Sequence, residues 1–360
     1  MFKLENIKQI HLEITDRCNA SCPQCARNIL GGKENPHLSQ TELSLEDIKK
    51  IMPPDIVRHI RRVFMCGNYG DPGVARDTLE VFQYLRETNP DMNLGMNTNG
   101  GMRTPAWWGE LAKVIDGRGD IKFGIDGLQD TNHLYRRNVS FDRVMANIQS
   151  FIDNGGRAVW EYIVFAHNEH LVEKARELSQ KMGFEKFTVK KTGRFFSNTK
   201  LKGKERQEVH NLQGEVEYYL EKPQNPDFQN SSLQKEQSLV REFGSLENYL
   251  NQTEVACKTS KEGSIYISSQ GFVFPCCWTG NQLYLWYNRP RSSEIWKLLE
   301  RSGGVELIDA KIHKLGDILE GEFFSQVQKS WSCSSLEAGK LKVCSKTCGQ
   351  SFNQFKDQYK

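Results

Sequence analysis

No uninterrupted apolar run in these 360 residues approaches the length that spans a bilayer. The opening Met1-Phe-Lys-Leu-Glu-Asn-Ile-Lys8 is too polar for the apolar core of a secretion signal. An excess of either charge is also missing, since 48 Lys and Arg face 45 Asp and Glu for a net +3. Such a balance offers no bulk electrostatic case for nucleic acid, and no membrane partner is expected. No internal repeat is present. The cytoplasm is the expected compartment, and there the ten cysteines stay reduced and available as metal ligands. A hydrophobic fraction of 38% and a charged fraction of 26% suit a globular chain long enough for two domains.

What the chain does hold is a dense group of thiols. Cys18, Cys22 and Cys25 form a C-x3-C-x2-C loop just after the alternating segment Ile10-His-Leu12-Glu-Ile14. Three thiolates on one short loop can hold three corners of a cubane [4Fe–4S] cluster, which normally takes four cysteines. The fourth iron is then open to a small molecule. Zinc sites favour paired C-x2-C units with a second pair or histidines downstream, and the next histidine is His37. Disulfide frameworks belong to small secreted domains.

Strand and helix patterns alternate up to about residue 191. Strands are expected at Gln9–Thr15, Arg62–Cys66, Asn93–Thr98, Ile121–Asp126, Val159–Phe165 and Lys186–Lys190. Ser44 with Asp47 reads as a capping box, Ser140 and Asn168 as further helix caps, and Gly155-Gly156 and Gly183 as helix ends. Successive βα units imply a parallel sheet, open or barrel-like, with ligands at the carboxyl ends of its strands. From about Gly193 to Val255 the chain turns polar, with one helix expected near Leu239–Leu250, and reads as an insertion or linker.

The cysteine loop resembles that of the radical S-adenosylmethionine (AdoMet) enzymes. The strand ends carry the resemblance further. Cys66-Gly-Asn-Tyr-Gly70-Asp71-Pro72 stands where relatives have Gly-Gly-Glu-Pro, Asn97-Thr-Asn99-Gly100 resembles their Thr-Asn-Gly, and Gly124-Ile-Asp126-Gly127 resembles their Ser-Leu-Asp-Gly. The resemblance implies an α/β fold, a partial (β/α)6 barrel with a smaller C-terminal cysteine-rich Fe–S domain. It also implies AdoMet contacts from Gln24, Gly70, Asp71, Asn97, Asn99, Asp126 and Arg136, with Arg136 pairing with the AdoMet carboxylate. Arg137 is read as a surface ion pair. Two departures stand out: Gly124 replaces a serine aimed at the ribose, and Gln24 replaces an aromatic residue beside the third cysteine.

Downstream, Cys257, Gly271 and Cys276 in a C-x13-G-x4-C pattern resemble the opening of the auxiliary-cluster domain called SPASM, or twitch in its shortened form, with a small hairpin around Ser268–Gly271. The implied ligands of one auxiliary [4Fe–4S] cluster are Cys257, Cys276, Cys344 and Cys348, with Cys333 as substitute; zinc on the same residues is the rival. The domains implied are 1–192 for the AdoMet core, 193–256 for the insertion and 257–360 for the auxiliary domain.

Cys277 stands where sulfatase-maturating relatives carry an Asp base, and either donates a hydrogen atom, as in radical epimerases, or is an inert buried thiol. The resemblance implies a flavodoxin or ferredoxin reductant and a peptide or small-molecule substrate. Starting the first strand near residue 9 leaves no room for a preceding peptide-recognition domain. A non-catalytic Fe–S or zinc scaffold or electron carrier is the alternative.

Overall fold

Ser44 Oγ accepts a 3.1 Å hydrogen bond from Asp47 N while the Asp47 carboxylate accepts one of 2.9 Å from Ser44 N. This reciprocal cap opens the helix Leu45–Ile51 in the computed structural model, which describes residues 2–197 and 205–350. Ser140 caps the helix Phe141–Asp153, and Gly183, at φ +87°, closes the helix Val172–Met182. Asn168 does not cap as expected. Its Oδ1 accepts from Phe165 N, and its Nδ2 donates to the carbonyls of Asp126 and Ile163, so its hydrogen-bonding groups tie together the strand ends instead.

Six parallel strands follow one another in sequence order: β1 (Gln9–Leu12), β2 (Arg62–Cys66), β3 (Asn93–Thr98), β4 (Gly119–Gly124), β5 (Ala158–Val164) and β6 (Lys186–Lys191). β1 stops short of the expected Thr15, which instead bridges Glu42. A separate antiparallel hairpin joins β7 (Arg206–His210) to β8 (Val216–Glu221). β9 (Ser264–Ile267) pairs in parallel with β1, and β10 (Val273–Phe274) returns antiparallel to β9. The result is an α/β fold around a mostly parallel eight-stranded sheet, ordered β10-β9-β1-β2-β3-β4-β5-β6.

Apolar burial runs continuously through this sheet and the C-terminal helices. Phe2 packs edge-on against Phe324 and Trp331, so the first described residue is seated on the helix Glu322–Ser330 and its C-terminal end. Trp108, Phe123, Phe151 and Trp160 are completely buried between the sheet and its outer helices. Among its described residues the polar stretch 193–256 holds a short helix, Arg194–Ser197, then the β7–β8 hairpin and two longer helices. Gly244, at φ +77°, splits the expected helix into Ser232–Phe243 and Leu246–Gln252, the second capped by Ser245. Residues 198–204 of the insertion and 351–360 of the C-terminal segment lie outside the described residues. Among the described residues no helix is long and apolar enough to cross a membrane.

Candidate active site

The cysteine loop leaves β1 and turns back on itself through a 3.0 Å bond from Cys25 N to Cys22 O. Ala20 N lies 3.3 Å from Cys18 Sγ, Asn99 Nδ2 3.8 Å from the same sulfur, and Arg136 Nη1 3.8 Å from Cys22 Sγ. Donors from three separate loops therefore aim at the sulfurs. Burial pushes the Cys22 thiol up to about 11 against the opposing pull of Arg136, and burial with Asp71 nearby pushes Cys18 well up. Without a metal these two stay protonated, and their deprotonation is coupled to ligation.

The β7–β8 hairpin clamps this loop from outside. Gln207 Nε2 donates to Pro23 O at 2.8 Å and His210 N to Leu30 O at 2.9 Å. Arg137 pairs with Glu217, as a surface residue would, but also donates to His210 O at 2.7 Å, tying the loop after β4 to the hairpin.

At the end of β2 the Gly67–Gly70 turn is built against backbone. A Cβ on Gly70 would collide with Thr15 O, and one on Gly67 with Gly70 O, so only glycine fits either place. Asp71 Oδ1 accepts from Gly73 N (2.9 Å) and Thr98 Oγ1 (2.8 Å), and Oδ2 from Asn99 N (2.7 Å). The carboxylate thus laces the β2 turn to the end of β3. Asn99 continues the chain of contacts by donating to Asn19 Oδ1 at 2.9 Å. Asn97, two residues earlier, lies in register between Cys66 and Lys122.

Asp126, completely buried, accepts from Arg136 Nε and Ile163 N, each at 2.6 Å. Burial raises its carboxyl, with Arg136 opposing that rise. Gly124 stands under this pair: a Cβ there would collide with Arg136 Nη2. The missing serine is therefore the space the guanidinium occupies. Gln24 is buried, its Oε1 accepting from Thr192 Oγ1 at 2.9 Å while its Nε2 has no partner. Burying that N–H2 without a partner is unfavourable unless a ligand completes it.

Residues 12–188 match the family model of the Radical SAM superfamily. The chain carries a Radical SAM domain. Members of that superfamily are enzymes. That family implies a [4Fe–4S] cluster and AdoMet. A GTP 3′,8-cyclase from Desulforamulus reducens is 26% identical over 151 residues, 41% of this chain and 43% of that protein, so the match spans under half of the relative. Among solved structures, Streptococcus suis SuiB bound to precursor peptide SuiA superposes with a TM-score of 0.55 at 14% identity, covering 95% of this chain and 72% of that one. The protein anSMEcpe with bound AdoMet and Cp18Cys peptide gives 0.51 at 13% identity, covering 98% and 90%. At these identities the likeness is one of fold.

Outside the Radical SAM domain, Cys257, Cys276, Cys344 and Cys348 line one small cavity, together with Pro275, Trp278 and Trp331. The Cys257 and Cys348 thiols hydrogen-bond, which draws Cys257 down to about 6 and pushes Cys348 up. Burial raises Cys276 and Cys344. Cys333 does not line this cavity; its sulfur lies 3.6 Å from Lys329 O. Cys277 is also outside the lining. Burial pushes its thiol up, followed by Cys276, Cys66 and Glu13, so it neighbours the β2 end. Among the described residues no three His, Cys, Asp or Glu groups converge closely enough for a single metal ion.

Polar side chains of the Radical SAM sheet itself were not singled out by motif. Glu13, Lys122, Glu161 and Lys190 all act electrostatically on the buried Cys66 thiol. The available signal was their placement within otherwise apolar parallel strands, where continuous hydrophobic runs are the norm.

Glu13 accepts from Tyr69 N (2.7 Å), Gly70 N (3.1 Å) and the Tyr266 hydroxyl. Burial still lifts its carboxyl from 4.5 to about 7. A raised acid contributes stability that is complete below its unfolded value and is lost as pH rises through the folded one. His11, lowered by burial to about 4, acts in the opposite sense between 4 and 6.5 and is common to wild type and variant. In thermal melts of metal-free protein, Glu13→Gln should therefore gain on wild type by on the order of 3 kcal/mol between about pH 5 and about pH 8. Parallel melting curves would count against a titrating Glu13.

Proposed function

We propose that this protein is an AdoMet radical enzyme acting on a peptide or small molecule, with its cluster on Cys18, Cys22 and Cys25 and one auxiliary [4Fe–4S] cluster on Cys257, Cys276, Cys344 and Cys348. The observation that carries the reading is the three-thiol loop with Asn99 and Arg136 directed at its sulfurs and Gln24 Nε2 left without a partner beside it. When bound, the reduced cluster supplies the electron that cleaves AdoMet to methionine and a 5′-deoxyadenosyl radical, the abstractor of a substrate hydrogen atom.

The residues around the loop orient AdoMet. Arg136, with its Nε pinned by Asp126, has guanidinium N–H groups left for the methionine carboxylate. The Gly67–Gly70 turn brings bare backbone to the amino group, and Gln24 Nε2 donates to the ribose or adenine. Asp71 and Asp126 act through the groups they hold, the β2 turn and Arg136. Asn97 and Asn99 complete the polar rim at the end of β3.

The four thiols follow a Radical SAM domain, and that context favours a cluster over zinc in the C-terminal site. The peptide complexes of SuiB and anSMEcpe support a peptide substrate, and the GTP 3′,8-cyclase match supports a small one. A flavodoxin or ferredoxin in the cytoplasm supplies the electron. A second reading, radical epimerisation with Cys277 as hydrogen-atom donor, is favoured by that thiol's position near Cys66 and Glu13 rather than in the auxiliary cavity.

The test is 5′-deoxyadenosine formation from AdoMet by anaerobically reconstituted protein with dithionite. Product from wild type and none from Cys22→Ala is expected. A wild type with a full iron complement and no product would point to the scaffold or carrier.

A further inference from the structure

The parallel register sorts the strand side chains by face. Tyr266 lies opposite His11 and His11 opposite Phe64; Cys66 lies opposite Asn97 and Asn97 opposite Lys122. Gly124 lies opposite Glu161, and Ile163 opposite Lys190. With a period of two, one face of the sheet carries His11, Glu13, Cys66, Asn97, Lys122, Glu161 and Lys190. The buried Cys66 thiol lies within electrostatic reach of Glu13, Lys190, Glu161 and Lys122, as this register requires.

The direct pairing on this face leaves Lys122 over. Glu161 is answered by Lys190 at 2.8 Å, both side chains being nearly buried. Glu13 is surrounded by three donors, and His11 is committed to Cys66 O at 2.8 Å. Asp120, the nearest acid on β4 itself, lies in the electrostatic reach of Arg157 at the other end of the strand. Lys122 makes no hydrogen bond or ion pair among the described residues and is partly buried. A half-buried ammonium without a counter-charge is unfavourable, and an anion relieves it. The place is distinct from that of Arg136. Lys122 stands two residues before Gly124, about 7 Å of strand from the backbone over which the guanidinium lies.

We propose that Lys122 binds an anionic oxygen group of the substrate, a carboxylate or a phosphate, inside the sheet beside Cys66 and Asn97. The group so held lies deeper than AdoMet, and the substrate enters with its anionic end first. The inference rests on the AdoMet radical reading for the word substrate, and on the register and the unanswered charge for the site.

The probes are inorganic phosphate and acetate, titrated calorimetrically into anaerobically reconstituted, AdoMet-loaded wild type, Lys122→Met and Lys122→Arg. Intact cluster absorbance certifies each preparation. One anion should bind wild type roughly tenfold or more tighter than Lys122→Met, with Lys122→Arg recovering most of the loss. Tighter phosphate identifies a phosphoryl group and tighter acetate a carboxylate. Equal anion binding by wild type and Lys122→Met overturns the proposal. So does a loss of AdoMet affinity in Lys122→Met as large as the anion loss, since the lysine then belongs to the AdoMet site. Lys122-dependent anion binding in a wild type that forms no 5′-deoxyadenosine supports the anion site and overturns the enzymatic reading instead.

Discussion

Asp126→Ala is expected to lower the unfolding free energy of the metal-free protein by ~3 kcal/mol, the lower end of what breaking a buried ion pair costs. The carboxylate is completely buried, and its two oxygens satisfy Arg136 Nε and Ile163 N. Truncation leaves a cation without its charge partner and a backbone N–H without its acceptor in the middle of the α/β core. The lower end applies because the Arg136 side chain keeps 19% exposure and water can reach part of it. Asp126→Asn retains an acceptor and should lose less stability, yet it frees Arg136 from its charge partner and weakens AdoMet binding. Denaturant titration checks the first statement and equilibrium binding of AdoMet the second. A loss below ~1 kcal/mol for the alanine variant would mean that Arg136 finds another partner or turns to solvent.

Cys276→Ala carries the second large effect. With both clusters loaded, wild type should hold about eight irons per chain, and the variant about four, because three remaining thiols no longer close the auxiliary site. Cys22→Ala should show the complementary loss. Iron and zinc analysis separates the readings: about four irons with one zinc in wild type would replace the auxiliary cluster by a zinc site. The four lining thiols, two of them already sharing a hydrogen bond, make this the most direct chemical test of the C-terminal region.

The strands of the first 191 residues were legible because each announces itself locally. Their apolar runs, the Ser44–Asp47 box and the Gly183 stop all operate over a few residues. The β7–β8 hairpin carried a readable signal in the alternation of buried Gln207 and Val209 and the turn at Asn211–Gly214, which the polar composition around it obscured. The pairing of β9 with β1 had no local signal at all, since register between strands some 255 residues apart is a property of the assembled sheet.

At the site, motif resemblance located the residues but not their partners. Asp71 and Asp126 stand at the expected strand ends, and their oxygens face protein donors. The glycine at 124 looked like a lost hydrogen bond until the guanidinium was seen lying over it. Lys122 belongs to no motif; its interest comes from the neighbouring strands that leave its charge unanswered.

The sharing of β1 between β2 and β9 has a consequence for how the chain is made. β2 is complete at Cys66, whereas β9 is complete at Ile267, about 200 residues later. At typical rates of synthesis that gap lasts ~10–40 s. Throughout it, the outer edge of Gln9–Leu12 presents unpaired backbone groups next to the thiol loop, the kind of edge that recruits foreign strands. The nascent protein therefore has a defined window in which it needs shielding, and it closes only when its own distant strand arrives.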